Sequence, residues 1–485
     1  MSQPLTAEAI GPIGLVEALM NDFFTFIHPL TPFPHEPTFR EDFANRKDVH
    51  DRGFLALLAS MIGALVASFP RRPRMVLKQY HRQGEFPTHM DLVLRCERIC
   101  DEARGPGFLK RPDLNVNDAA TSYFIGLTGA YTFRLPQFRA YASESLTILR
   151  MLGLHKPDEV LMPNLAGLFP GNSLNQSAPP TPGKGHDLIS IEMGRRIFWT
   201  IFVGWKSTGQ FGAAFDELVL PPATPNKPYP PYPREVDDQC IFPDQIFDQP
   251  QDRVSLITGF NTNVKIYNSY NRLDASEFAY GAGEVFDWER QKRVLDGCLR
   301  NCKRVLEGVP SELTVWPRKQ KVGQAGSLYP DLSGGHPGQA FFNMAQFGTS
   351  PREAQYEIQK ANIYASQLAT RSYLVEKYWN LWEANQKLKA QSNSAHSSAV
   401  NSPRTGAAVL DGFLQQTPPT SASMSDIMTD RDMITERELI IRDLLEVLTS
   451  IDMVHMEPSA DSFVSSKISS DLKVWGWLII RHADD

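Results

Sequence analysis

HDLISIEMGRRIFWTIFVGWKSTGQFGAAFDELVLPP, residues 186–222, is the stretch whose reading decides the fold. Gly194, Ile197, Phe198, Ile201, Phe202 and Trp205 stand alternately three and one apart, which gathers them into one stripe of a helix. Trp199 and Val203 widen the stripe, so the helix is expected to be buried on more than one side. Asp187 can accept from free N–H groups of the first turn and is read as the N-cap. Gly209 and Gly212 weaken the helix, and Pro221-Pro222 ends it. Glu192, Arg195 and Arg196 interrupt the apolar run too early for a membrane span. The Arg195-Arg196 pair reads as the solvated end of a central core helix.

Outward from this helix, composition sets the limits. A chain of 485 residues exceeds one ordinary core and implies one large domain or two fused ones. With 42% hydrophobic and 21% charged residues it is globular rather than disordered. A net charge of -6 argues against the whole chain acting as a nucleic-acid clamp. Five cysteines give no disulfide framework and suit a reducing compartment. Residues 1–12 lack the basic start and apolar run of a signal peptide. FLALLASMIGALVASF (54–69) is uncharged but shorter than the roughly 20 residues a bilayer needs, so it reads as a buried core helix.

Helical periodicity continues along the chain. Residues 12–30 place Leu15, Leu19, Phe23, Phe26 and Ile27 on one side. HPLTPFPHEPTF then carries four prolines, which predict an extended crossing, with His28 and His35 as polar turn residues. Helices are expected at 54–69, 75–82, 86–103, 116–132 and 137–152, the last closed by Gly153. Residues 168–186 and 221–234 read as loops, the second a surface connection despite its Pro230-Pro231 and Pro233. Asp237 and Asp238 read as solvated or helix-capping. Further helices are expected at 251–275 and 284–308, with a Gly/Pro-rich loop to Ser350. Ser350, Pro351 and Glu353 form a capping box for a helix to Gln391. Residues 392–425 are Ser/Thr/Pro-rich and predict a disordered linker. Thr435 with Glu438 suggests a second capping box. It would open a helix with Ile441, Leu444, Leu445, Leu448 and Ile451 on its buried face.

Several of these motifs occur together elsewhere. Arg195, Arg196, Phe198, Trp199, Phe202 and Val203 resemble the central helix of the regulatory domain of fungal zinc-cluster transcription factors, with Trp205-Lys206 standing where that family has Asp-Arg. His28, Pro29, Pro32, Phe33, His35 and Phe39 resemble the family's opening segment. Leu152, Gly153, Leu154 and His155 resemble the end of one of its helices. PREVDDQCIFPDQI (233–246), Val309, Pro310, Glu312 and Leu313, and MEPSADSFVSSKI (456–468) follow in the family's order. The resemblance implies an all-α regulatory domain over residues 1–391, the linker 392–425, and a C-terminal helical segment, 426–485, docked on the main body. It implies a nuclear protein controlling transcription by RNA polymerase II. The partners it implies are the transcription machinery or co-regulators, a small-molecule effector and a second copy of the chain.

Catalytic chemistry has no foothold in the letters. No G-x-S-x-G, H-E-x-x-H, Walker or G-x-G-x-x-G pattern occurs, so the chain is not expected to be an enzyme and no cofactor is expected in it. Cys96 and Cys100, and Cys298 and Cys302, stand four apart on helices; metal binding is conceivable there, but reduced core thiols are the commoner outcome. The family's DNA-binding module needs six clustered cysteines for two zinc ions, and no cysteine precedes Cys96. Zinc and specific DNA contact are therefore expected only through a module outside this sequence, and no membrane is expected. Arg195, Trp199, Phe202 and Trp205 are the candidates for an effector pocket or for core, because charge and aromatics converge there. The competing reading is a helical metabolite-binding protein or enzyme whose site leaves no motif; a helical scaffold for partners is a third.

Overall fold

A computed structural model describes residues 5–69, 71–156, 186–210, 220–281, 283–315, 350–395, 429–452 and 455–457. They contain thirteen α-helices and no strand, as the unbroken three-to-four-residue periodicity predicts. Thr224 with Lys227, and Ile241 with Ile246, form isolated bridges only. Most of the loop at 168–186, the Gly/Pro-rich segment after Val315, the linker beyond Ala395 and the chain past Glu457 lie outside the described residues.

α1 (Ile13–Asp22) buries Leu15, Val16 and Leu19 and continues into a wider turn, Phe23–Ile27. There the His28 N–H reaches back five residues to Phe23 O at 2.9 Å. This widening turns Phe23, Phe24, Phe26 and Ile27 inward together. The proline crossing is shorter than its composition suggests. α2 (Glu36–Ala44) starts inside it, because Pro37 occupies the first turn, where a missing N–H costs nothing.

α3 (Arg52–Ser68) is capped by Asp51, whose carboxylate accepts from Phe54 N at 3.0 Å. Every side chain from Phe54 to Ser68 is buried, so the helix is core on all sides. No single helix among the described residues is long and apolar enough to cross a membrane. Around α3 lie α4 (Arg71–Gln79), α5 (His89–Arg104), α6 (Val116–Tyr131) and α7 (Leu135–Leu152), with α5 and α6 against it and α7 against α6. Gly153 ends α7 in the left-handed region at φ 77°. The chain then seats Leu154 on Gly194 of α8 (Leu188–Gln210), where an added Cβ would lie 2.8 Å from the Leu154 Cβ. Asp187 caps α8 as expected, accepting from Ser190 N at 2.7 Å.

The helix expected at 251–275 is two. Ser255 caps α9 (Leu256–Asn268), and the chain turns at Ser269-Tyr270 into α10 (Asn271–Tyr280). α11 (Trp288–Arg304) follows. α12 (Pro351–Ala395) has the expected box, with Ser350 N on Glu353 Oε2 at 2.7 Å and Glu353 N on Ser350 Oγ at 3.2 Å. It runs four residues past Gln391, into the segment read as linker. α9, α11 and α13 (Asp430–Ser450) pack on it.

α13 corrects two expectations. Its capping box is Thr429 with Asp432, while Thr435 lies inside the helix and bonds Arg431 O. Of the expected face, Ile451 is buried and Leu444 packs against the core, but Ile441, Leu445 and Leu448 are exposed, and Met433, Glu436, Ile440 and Val447 turn inward in their place. A buried glutamate sets this rotation, and apolar periodicity alone cannot see it. A single apolar cluster extends from Ala7 to Ile451, so α13 shares the core of the helices before it.

Candidate functional site

α8 organises the middle of the molecule. In its first turns the charges read as solvated are buried. Arg196 is wholly enclosed, and its Nη1 donates to Pro32 O at 3.0 Å and to Asp238 Oδ1. Asp238 Oδ2 accepts from Glu36 N at 2.8 Å, tying α2 to the same point. His35 bridges Thr38 Oγ1 at 2.8 Å and Asp238 O at 2.9 Å, and His28 Nε2 lies 3.1 Å from Pro34 O. Burial works to raise the Asp238 carboxyl, but the Arg196 guanidinium above all, with both imidazoles, brings it down to about 2. Burial pushes the His28 imidazole down, so it is neutral at pH 7 and Arg196 is the charge that holds Asp238 ionised.

Arg195 is buried too and pairs with Glu192, whose Oε2 accepts from Arg234 N at 3.0 Å. Asp237 accepts from Leu256 N at 3.1 Å and from Arg352 Nη2 at 2.8 Å, joining the start of α9 to α12. Sequence placed these charges on the surface because charged side chains almost never bury alone. Apart from the local Glu192–Arg195 pair, their partners lie far away along the chain, which local pattern does not reveal.

Trp199 and Phe202 belong to an aromatic cluster. The Trp199 ring lies 4.7 Å from Tyr232 and 5.1 Å from Phe202, and its Nε1 donates to Pro231 O at 2.9 Å. The proline-rich loop is thus fastened to α8 rather than free. Trp205 is buried as well. None of the four residues singled out from sequence borders the cavity beside α8; each is part of the packed or paired interior among the described residues.

The later turns of α8, continuing the side that carries Arg196, do line it. Thr200, Val203, Gly204, Ser207, Thr208 and Gln210 border a cavity of about 220 Å³. Ala361, Ala365 and Ala369, one turn apart on α12, border it too. α3, α6, α7, α9 and α13 complete the wall, as do Ile27 and Leu30 from the N-terminal turn. Ala130 and Phe138 on its wall belong, with Ala142, to a small apolar cluster apart from the main core. Small residues at helical spacing on two helices were the available signal, and attention to large aromatics passed over it.

The wall is apolar with scattered neutral polar groups, and no Asp, Glu, Lys, Arg or His borders it among the described residues. Several hydroxyls turn back onto their own helices: Thr200 onto Arg196 O at 2.7 Å, Ser207 and Thr208 onto Gly204 O at 3.0 and 2.9 Å. Gln210 Nε2 donates to Thr370 Oγ1 at 2.9 Å and Tyr267 Oη to Ser366 Oγ at 3.3 Å. The side-chain amides of Asn263 and Asn362 make no hydrogen bond among the described residues; Asn362 is half-buried, while Asn263 is 5% exposed with its Oδ1 sealed from solvent.

α13 closes one side of the cavity with Ile440, Leu444 and Val447. A buried ionic clamp holds it there: Glu436 accepts from Arg371 Nε at 2.7 Å and Lys303 Nζ at 2.8 Å, and Arg371 also reaches Asp443 at 2.7 Å.

All five cysteines are buried free thiols, and burial pushes Cys96, Cys100, Cys298 and Cys302 upward, away from thiolate. No group of three or more His, Cys, Asp or Glu among the described residues is arranged to hold a metal ion. Neither a protein-family model, nor a curated protein, nor a solved structure matches this chain.

Proposed function

We propose that this chain is the effector-sensing regulatory domain of a fungal transcription factor of the zinc-cluster type, with the cavity beside α8 as its effector site. The order of motifs from His28 to Glu457 supports the family, and the all-α architecture is in keeping with it. The observation that carries the sensing role is the composition of the cavity wall. It draws on the N-terminal turn, on α8 and on α13, which are distant in sequence. A molecule filling such a void contacts all three at once and stabilises the arrangement in which α13 is docked. Effector occupancy thereby sets which surface α13 and its neighbours offer to co-regulators. DNA contact and zinc belong, in this reading, to a separate six-cysteine module.

The alternative, a metabolite-binding protein or enzyme without a transcriptional role, uses the same cavity. The absence of a charged side chain from the wall among the described residues supports holding a molecule over transforming one. The two readings part in one experiment. The chain is fused to a heterologous DNA-binding domain and placed upstream of a reporter in a fungal host. The regulatory reading expects output to differ from that of the DNA-binding domain alone. Identical output at matched protein levels, with or without a cavity-filling Ala365→Leu substitution, would overturn it.

A further inference from the structure

The cavity also restricts the kind of molecule it can take. A void of about 150 Å³ lined by aliphatic and aromatic side chains holds a benzene ring. At about 220 Å³ this one has room for a ring bearing a short chain. With no cation or anion in the wall among the described residues, an ionised carboxylate, phosphate or amine would enter without a counter-charge. Such burial is costly enough to exclude it in favour of a neutral form. Apolar contact therefore supplies most of the affinity.

Asn263 adds direction. A buried amide without partners is rare in a folded protein, because the lost hydrogen bonds to water are not replaced. Asn263 lies on α9 at the cavity wall, 5% exposed and unbonded among the described residues. A hydrogen-bond acceptor on a ligand in the cavity can take the Nδ2 hydrogens, whereas Oδ1 is sealed on every side and lies beyond a ligand's reach. The Tyr123 hydroxyl offers a second neutral polar point beside Gly204, where an added Cβ would come within 3.9 Å of it. Thr200, Ser207 and Thr208 spend their hydroxyls on their own helix, Tyr267 bonds Ser366 across to α12, and the more exposed Asn362 is the other unbonded amide of the wall.

We propose that the cavity binds a neutral, mainly apolar small molecule, of the bulk of an alkyl-substituted ring, through one hydrogen-bond acceptor held by Asn263 Nδ2. This rests on the effector-site reading of the cavity and names the class of effector. Three probes of nearly equal shape test it on the purified full chain by titration calorimetry near neutral pH: 4-propylphenol, propylbenzene and 4-propylbenzoate. The phenol is expected to bind and raise the melting temperature, and the benzoate to bind on the order of a hundredfold more weakly. Asn263→Leu should weaken the phenol about five- to tenfold and leave propylbenzene unchanged or tighter. Ala365→Leu, with Ala369→Leu as a second filling variant, should weaken both neutral probes without lowering the melting temperature of the free chain. Benzoate binding as tightly as phenol would overturn the proposal, as would phenol binding indifferent to Asn263 and to both filling variants. Failure of all three probes at millimolar concentration would also overturn it. The reporter separates the two ideas. Phenol binding with unchanged transcription supports the ligand class and removes the regulatory reading. An anionic probe that binds and shifts output removes the ligand class and leaves regulation standing.

Discussion

Arg196 and Asp238, 42 residues apart in the chain, meet as an ion pair from which solvent is shut out. The pair joins α8 to the segment before α9, and through Pro32 and Glu36 it gathers the N-terminal crossing as well. Breaking one side of such a pair leaves the other charged and buried, which costs about 3–5 kcal/mol. Arg196→Ala is therefore expected to destabilise the protein by that order, far beyond a surface pair's roughly 0–1 kcal/mol. The double variant Arg196→Met with Asp238→Leu should recover much of the loss, since no unpaired charge remains. Urea unfolding of the two single variants and the double variant checks this. Additive losses would mean that the residues are not coupled.

On the same helix the aromatics make a different contribution. Trp199 is 3% exposed and Phe202 1%, each ringed by aromatic neighbours. Truncating either to alanine removes transfer energy and leaves a void, expected to cost about 3–5 kcal/mol. Thermal melts of Trp199→Ala and Phe202→Ala test it, and an unchanged melting temperature for both would mean that α8 is not central to the core.

Docking of α13 rests on Glu436. Glu436→Ala leaves Arg371 buried with Asp443 as its remaining acidic partner, so the expected cost is roughly 3 kcal/mol, at the low end for a broken buried pair. The loss should be local. Hydrogen exchange is expected to quicken across α13 while α3 keeps its protection. Equal acceleration in both helices would show that α13 is not a separately released element.

How much of this was legible follows from what sequence pattern encodes. Periodicity identified α3 and α8 as core, and capping chemistry set the start of α12, because both are local properties. The rotation of α13 escapes the pattern because Glu436 faces inward against Arg371 and Lys303, which leaves Ile441, Leu445 and Leu448 exposed while Leu444 and Ile451 stay inward. The Arg196–Asp238 lock and the Asp237–Arg352 tie were hidden for the same reason: each partner is supplied by a remote segment. For the cavity, the local signal existed in the small residues of α8 and α12. Only assembly shows that those faces border a void, and that Asn263 is left unbonded at its edge.

Acid should loosen this arrangement in two stages. His28 sits against Phe24, with its Nε2 3.1 Å from Pro34 O and 3.7 Å from Asp238 Oδ2, and the charges acting on it are Asp238, Glu36 and Arg196. Burial dominates and lowers its pKa below the ordinary 6.5, against the pull of the two carboxylates. The unfolded chain then takes the His28 proton first as pH falls. Stability present above pH 6.5 is lost as pH drops through the depressed folded value. Asp238 follows the usual rule for a depressed carboxyl: from 3.8 unfolded to about 2 folded, its contribution is complete above the first value and disappears through the second. That second stage amounts to about 2 kcal/mol. Nitrogen chemical shifts of the labelled imidazoles should show His28 neutral at pH 6.5. Thermal melts of His28→Asn should be flatter between pH 6.5 and 5 than those of the parent chain. A His28 midpoint at or above 6.5 would mean that the ring is solvated or charged beside Asp238, and the neutral-imidazole account of the lock would fall.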